Sequence, residues 1–363
     1  MPAPIDTIWP IEPHTKAKHE ILRRYLGAWF PILNSWNGRI IYIDGFAGPG
    51  EYESGEPGSP IIALDVAINH RKGIGGEVIF WFMDERQDRI EHLRNLATKR
   101  TLPKNFRLEI THGRFGKVLD EVLSDLEKRN ARIAPTFIFI DPFGFSDAPM
   151  HLIHRLLKYP RTEVFINFQI SYVRRFLEHP DPQITAHMID LFGSSEVLEI
   201  AGSSGNRVEL LRGLYQRQLG QTASYVRYFH MKDRNNVPIY DLFFAGNNET
   251  GHYKMKEAMW RVDPNGEFTF SDATDPNQLV LFTLDNTPSL LDALCFKFAG
   301  NTNISASQVK KWARDRTPFL DKHLTAAIQA GEDRGRIVVS EVKADGTKRR
   351  KRTFPDDAFA SFV

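Results

Sequence analysis

Five short apolar runs constrain this chain more than any other feature. RIIYI (39–43), EVIFWFM (77–83), FRLEITH (106–112), PTFIFID (135–141) and TEVFINF (162–168) are rich in β-branched and aromatic residues, and helix-like segments separate them. Strands of this kind must be covered on both faces, and connections of this length suit helical crossovers. The pattern predicts an α/β fold with a parallel sheet between two helix layers. A helix over roughly 15–30 precedes the first run, with Ile21, Leu22, Tyr25, Leu26 and Trp29 on one face.

The region after the fifth run behaves differently. A helix around 206–219 is followed by SYVRYFHMKD and PIYDLFFAGN, joined only by RNNV. Four residues cannot make a helical crossover, so these runs read as an antiparallel hairpin. Five parallel strands followed by such a hairpin is the Rossmann-like layout of class I methyltransferases. Ordinary dinucleotide-binding domains lack the final reversed strand, and the expected cofactor is therefore S-adenosylmethionine (SAM).

From about 287 the periodicity changes again. Helices are expected at 288–299, at 305–315 behind the capping box Ser305…Gln308, and at 318–331 behind Thr317-Pro318. RIVVSEV and KRRKRTF then flank Ala-Asp-Gly-Thr, a hairpin signal. Three helices and a hairpin make a winged helix. The expected organisation is a methyltransferase-like domain over 1–262, a connector over 263–286 and a winged helix over 287–363.

The chain has 363 residues, 42% of them hydrophobic, with no apolar run long enough to span a bilayer. A soluble, cytoplasmic protein is expected. Its one cysteine, Cys295, falls in the apolar pattern LLDALCFKF and reads as a buried core thiol. A zinc ribbon or iron–sulfur cluster supplied by this chain alone is excluded. Net charge is +2, but residues 301–363 carry 13 Lys/Arg against 8 Asp/Glu. That excess gathers in KADGTKRRKR (343–352), which reads either as a footprint for a polyanion or as a charged hairpin edge.

The first strand runs into IDGFAGPG. A Rossmann dinucleotide loop wants its helix at once and no acid beside the pyrophosphate. Here Pro49 and the loop EYESGEPGS (51–59) delay the helix, which is expected to open at Ser59-Pro60 with the serine as N-cap. No Gly-Lys-Ser/Thr follows, which excludes a P-loop. SAM has no phosphate, and it carries an ammonium and a sulfonium. Asp44 at the strand end, with Gly45, Phe46, Gly48 and Gly50, suits those cations; the bland alternative is a tight turn.

Other strand ends add candidates. Asp84 can accept the ribose hydroxyls or be an exposed acid in a helix's first turn. His112 and Phe115 follow the third strand, where they can flank adenine; Phe115 also reads as core. Asp141, before Pro142 and Phe143, can accept a hydrogen bond from an exocyclic amino group, with Phe143 or Phe145 stacking on an extruded base. The alternative is an Asp-Pro turn with core phenylalanines. Asn167 can hydrogen-bond in the same pocket, whereas Lys18 and His19 can reach over the cofactor pocket or form a solvated helix face, the second being the preferred reading.

Together IDGFAGPG with its following GSP, FIDPFGF, TEVFINF and MKEAMWRVDP (255–264) resemble the three-Cys-motif partner proteins, over nearly the whole chain. That resemblance implies a SAM-methyltransferase-like domain, a winged helix and a partner with a three-cysteine, radical-SAM-type iron–sulfur motif. Asp44-x-Phe46-x-Gly48-x-Gly50 is also similar to the cofactor motif of nucleic-acid amino methyltransferases. Asp141-Pro142-Phe143-Gly144 looks like the Asp-Pro-Phe-Gly of tRNA guanine-N2 methyltransferases.

In the second domain, helix 318–331 offers only Lys322, His323 and Gln329 for base readout. Lys348, Arg349, Arg350, Lys351 and Arg352 would contact phosphate. Three functions are open. The chain methylates an amino group of a nucleic-acid base; it modifies a small molecule or protein, with the winged helix for docking; or it is a non-catalytic protein with a SAM fold.

Overall fold

The structure, a computed structural model, describes residues 4–36, 38–144, 147–273 and 287–363. It divides into two compact units, one of residues 1–262 with 269–275 and one of 263–268 with 276–363.

In the first unit, β1 (Arg39–Asp44), β2 (Glu77–Asp84), β3 (Phe106–His112), β4 (Thr136–Ile140) and β5 (Thr162–Phe168) are parallel. β6 (Tyr225–Lys232) and β7 (Pro238–Gly246) form the hairpin, with β7 antiparallel to both β5 and β6. A short β8 (Thr269–Ser271) lies parallel to β6 and gives the order β3-β2-β1-β4-β5-β7-β6-β8. β8 was not expected, because its three residues lie within what reads as a connector. Residues 274–286, the remainder of that segment, fall outside the described residues.

Alternation along the strands sends two sets of side chains to two cores. Tyr42, Phe80 and Phe137 meet Tyr25, Trp29 and Phe30 of the long first helix, Pro13–Trp36, as an aromatic layer. Ile43, Ile138, Ile140, Val164 and Ile166 face a second core with Phe115 and Leu119 of helix Phe115–Lys128 and Leu214 and Tyr215 of helix Arg207–Gly220. Each such buried Leu, Ile or Phe contributes roughly 1.5–3 kcal/mol, so both helix layers are pinned to the sheet.

The second unit contains helices Thr287–Phe298, Ala306–Arg316 and Asp321–Asp333. Its sheet has β9 (Ile304–Ser305), β10 (Ile337–Val339) and β11 (Phe359–Phe362) in the order β10-β11-β9, all antiparallel. Leu291, Leu294, Leu324, Ile328, Ile337 and Phe362 form its core, and Cys295 is half-buried against it.

Local expectations fail here in instructive ways. The third helix starts at Asp321 and not at Pro318, with Leu320 as its N-cap and the His323 ring accepting the Leu320 N–H. The hairpin expected at Ala-Asp-Gly-Thr forms at its tip, where Val342 bridges Lys348 and the Lys343 and Arg349 N–H groups donate to the carbonyls of Thr347 and Glu341, but KRRKRTF does not continue it as a strand, and β10 pairs with the C-terminal FASF.

Candidate active site

β1 has β2 on one side and β4 on the other, so the strand order reverses there and a crevice opens at the strand C-termini. Register makes the crevice polar. Asp44 ends β1, Asp84 is level with His112, and Ile140 pairs with Ile166, which sets Asp141 beside Asn167.

Asp44 is fully buried. The Phe46 N–H donates to its Oδ1 at 3.3 Å, Tyr42 reaches its Oδ2 at 3.4 Å, and the Ser59 hydroxyl bonds it. Burial nevertheless pushes its pKa up to about 7, because removing a carboxylate from water costs more than these donors return. Ser59 is thus not the N-cap expected of it. It is the first residue of helix Ser59–Ile68, capped by Gly58 without a side-chain bond, and its hydroxyl serves Asp44.

The loop after Asp44 is shaped by close approach. A Cβ on Gly45 would overlap the Phe115 ring, and Gly50 has φ +89° with Leu93 where a side chain would go. Phe46 packs against Phe115 at 5.4 Å between ring centroids. Phe115 is therefore buried as a core support beneath the glycine loop. The delaying loop folds onto itself through a Glu51–Pro57 bridge and a Gly58 N–H to Gly50 carbonyl bond of 2.7 Å.

Asp84 is buried, and burial raises its pKa. It accepts the Gly48 N–H at 3.0 Å and the Arg86 N–H at 2.9 Å, one on each oxygen. It is thus no exposed helix acid, and each oxygen keeps a second lone pair. His112 is exposed, and its Nε2 donates to the carbonyl of Glu85 at 2.9 Å.

Asp141 is held from two sides. Lys18 donates to its Oδ2 and Asn167 Nδ2 to its Oδ1, each at 2.5 Å. Lys18 and His19 are buried, which corrects their reading as a solvated face. Burial and the neighbouring Lys18 lower the His19 pKa to about 3, so His19 is neutral. The signal was in the sequence: Lys18 lies four, seven and eleven positions before Leu22, Tyr25 and Trp29, on the inward stripe of the first helix.

Segment 4–12 closes the crevice. The carbonyls of Pro4 and Ile5 accept from Arg86, and Pro4 also accepts from Arg89. Trp9 lies 4.8 Å from the Arg89 guanidinium and meets Tyr52 and Phe143 edge-on. Sequence reasoning missed Trp9, Tyr52 and Arg89, because nothing local marks them. Asp141, Pro142, Phe143, Asn167, Lys18, Trp9, Tyr52 and Tyr240 share a cavity of about 260 Å³. Phe145 lies outside the described residues.

The basic run of the second unit is only partly available. Lys348, Arg350, Lys351 and Arg352 are exposed, as is Lys322. Arg349 is instead structural: it donates to the carbonyls of Ser340 (2.9 Å) and Thr353 (2.6 Å) and pairs with Glu332 at 2.7 Å. His323 Nδ1 accepts from the Leu320 N–H at 3.0 Å, and Gln329 donates to the Arg352 carbonyl at 2.7 Å. Two of the three expected base-reading side chains are thereby spent inside the unit.

The first unit has the class I methyltransferase arrangement: five parallel strands ordered 3-2-1-4-5, a reversed β7 beside β5, and a polar crevice at the switch point. No protein-family model matches the chain, and no curated protein matches it in sequence. Similar solved structures include Trm1 from Pyrococcus horikoshii in complex with S-adenosyl-L-methionine, at 12% identity and TM-score 0.35, covering 100% of this chain and 94% of that one. An O-methyltransferase from Bacillus cereus in complex with SAH matches at 15% identity and TM-score 0.35, over 65% of this chain and 82% of its own. Human methyltransferase-like protein 13 in complex with SAH matches at 9% identity and TM-score 0.36, over 75% and 98%. At such similarity the site's own residues must carry any functional reading.

Proposed function

We propose that the first unit is a SAM-dependent methyltransferase acting on an exocyclic amino group of a nucleic-acid base. The observation that carries this reading is the pairing of a cation-seeking acid with a fixed acceptor: fully buried Asp44 on β1, and Asp141 clamped between Lys18 and Asn167 beyond β4. Asp44, held half-protonated near neutral pH by burial, favours a ligand that brings positive charge and would repel a phosphate. SAM fits that demand through its ammonium and sulfonium, and when bound it supplies an electrophilic methyl group. Asp44 and the backbone around Gly45–Gly50 would hold its methionine end, and the remaining lone pairs of Asp84 would take its ribose hydroxyls.

Asp141 does the positioning. Each oxygen already accepts one fixed donor, so the carboxylate cannot rotate, and a free lone pair is left to accept an amino N–H. That bond orients the amino nitrogen's own lone pair toward the methyl donor. The proton released on transfer would pass to water. Phe143, 38% exposed beside Trp9, offers an apolar face to an extruded base.

The second unit runs helix, strand, two helices and two strands, which supports reading it as a winged helix. Exposed Lys348, Arg350, Lys351 and Arg352 would then hold phosphate without reading sequence. The engagement of His323 and Gln329 favours a second reading of this unit, as a docking surface for a protein. The three-cysteine partner implied by the family resemblance is the occupant we propose in that case.

The test is transfer of labelled methyl from SAM to bulk RNA and DNA, with Asp141→Asn in parallel. Methyl incorporation that depends on Asp141 is expected. Equal incorporation by wild type and variant would refute the role of Asp141, and absence of SAM binding by the wild type would refute the whole reading.

A further inference from the structure

The short strand β8 delivers a buried acid to the crevice. Asp272 directly follows β8, and its N–H donates to the carbonyl of Lys232 at 3.0 Å, which fixes it against β6. Its Oδ2 lies 2.8 Å from Nδ1 of His14, across 258 residues of chain, and the two side chains are 8% and 7% exposed. His14 belongs to the first helix, one turn before Lys18, and lines the same cavity as Asp141, Asn167 and Gln169.

One nitrogen of this imidazole is left open. An ionised carboxylate only accepts, so Nδ1 carries the proton and the neutral ring keeps its lone pair on Nε2. That nitrogen has no hydrogen-bond partner among the described residues. The Tyr240 hydroxyl donates to the His14 carbonyl at 3.1 Å, and the Tyr240 ring stands edge-on to the imidazole at 5.4 Å between centroids, so His14 is held on two sides. A buried acceptor left open costs free energy unless a ligand or water supplies the donor. The cavity thus presents two oriented acceptors, Nε2 of His14 and the remaining lone pair of Asp141.

We propose, resting on the methyltransferase reading above, that His14, oriented by Asp272, selects the base: while Asp141 accepts the amino N–H, His14 accepts a ring N–H beside it. Among the bases with an exocyclic amino group, guanine alone has such an N–H; adenine and cytosine have a ring acceptor there. Either of those would set a lone pair against Nε2, a mismatch that a hydrogen-bonding site rejects strongly. Gln169 lines the same cavity, but its amide can donate or accept and favours none of the three.

The test is fluorescence-anisotropy titration of the full chain into end-labelled pentaribonucleotides that carry one guanine, adenine or cytosine between uridines, with and without SAH. The guanine probe is expected to bind about tenfold tighter than the other two. His14→Gln, whose amide can donate as well as accept, should bring the three affinities within about twofold of one another. Asp272→Asn no longer obliges the proton to stay on Nδ1 and should relax the preference in the same direction. Circular dichroism establishes that both variants remain folded. Residues that served only the fold would weaken all three probes together and leave their ratio unchanged. A preference unchanged in both folded variants therefore overturns the proposal, as does equal binding of the three probes by wild type, a preference for adenine or cytosine, or failure of all three to bind. Methyl transfer to RNA without guanine preference would refute the role of His14 alone. Guanine preference in a protein that binds no SAM would refute the methyltransferase reading and leave His14 as the base-reading residue.

Discussion

Lys18 Nζ stands 2.5 Å from Asp141 Oδ2, joining the first helix to the end of β4 across 123 residues of chain. The lysine side chain is 6% exposed and the carboxylate 19%. Removing one member of a buried pair strands the other charge. Lys18→Met is therefore expected to cost about 2–4 kcal/mol of unfolding free energy, and Lys18→Met with Asp141→Asn to recover much of it. Urea denaturation of the four members of this cycle measures the coupling. Additive losses would show that the pair contributes no energy of its own.

Asp44 gives a pH-dependent prediction. In the folded protein it keeps its proton up to about pH 7, whereas an unfolded aspartate loses it near pH ~4. Between those values the folded state binds more protons, so stability contributed by Asp44 falls as pH rises through this window and stays low above it. Asp44→Asn escapes that loss. The variant is expected to be more stable than wild type at pH 8, by roughly 1–3 kcal/mol, with the difference vanishing near pH 4. SAM titration of the same variant should show binding weakened at least tenfold, so one substitution would separate stability from ligand capture.

At Gly50, φ is +89° and Leu93 occupies the space a side chain would need. Gly50→Ala combines backbone strain with overpacking, and a loss of about 2–3 kcal/mol is expected. Because the Gly50 carbonyl also accepts the Gly58 N–H, the damage should spread to the 51–59 loop. Faster amide exchange at Gly58 would be its signature.

In the second unit, two neighbouring cations should behave oppositely. Arg349→Ala removes bonds to Ser340, Thr353 and Glu332 and is expected to destabilise by about 1–3 kcal/mol. Lys351→Ala, at an exposed position, should leave stability within about 0.5 kcal/mol. If the unit grips nucleic acid, Lys351→Ala should also lessen the salt dependence of binding. An unchanged salt slope would favour protein docking.

Much of this molecule is written locally. The five apolar runs and the four-residue hairpin link are backbone-range signals, and hydrophobic periodicity with loop length was enough to make β1–β5 parallel and reverse the final strand. Asp44, Asp84, Asp141 and Asn167 were legible because a parallel sheet puts the C-termini of its strands together, so an acid after an apolar run is already placed. What tertiary structure alone decided was which polar groups meet across long separations. Lys18 lies on an apolar stripe, and only the docking of its helix on the sheet aims it at Asp141. Ser59 looks like a helix cap, and only the closed 51–59 loop turns its hydroxyl to Asp44. Trp9 over Arg89, Arg349 inside the second unit, and His14 beside Asp272 depend on contacts between segments far apart in sequence. Propensity and periodicity report which face of an element is buried; they carry no information about which buried partner it will find.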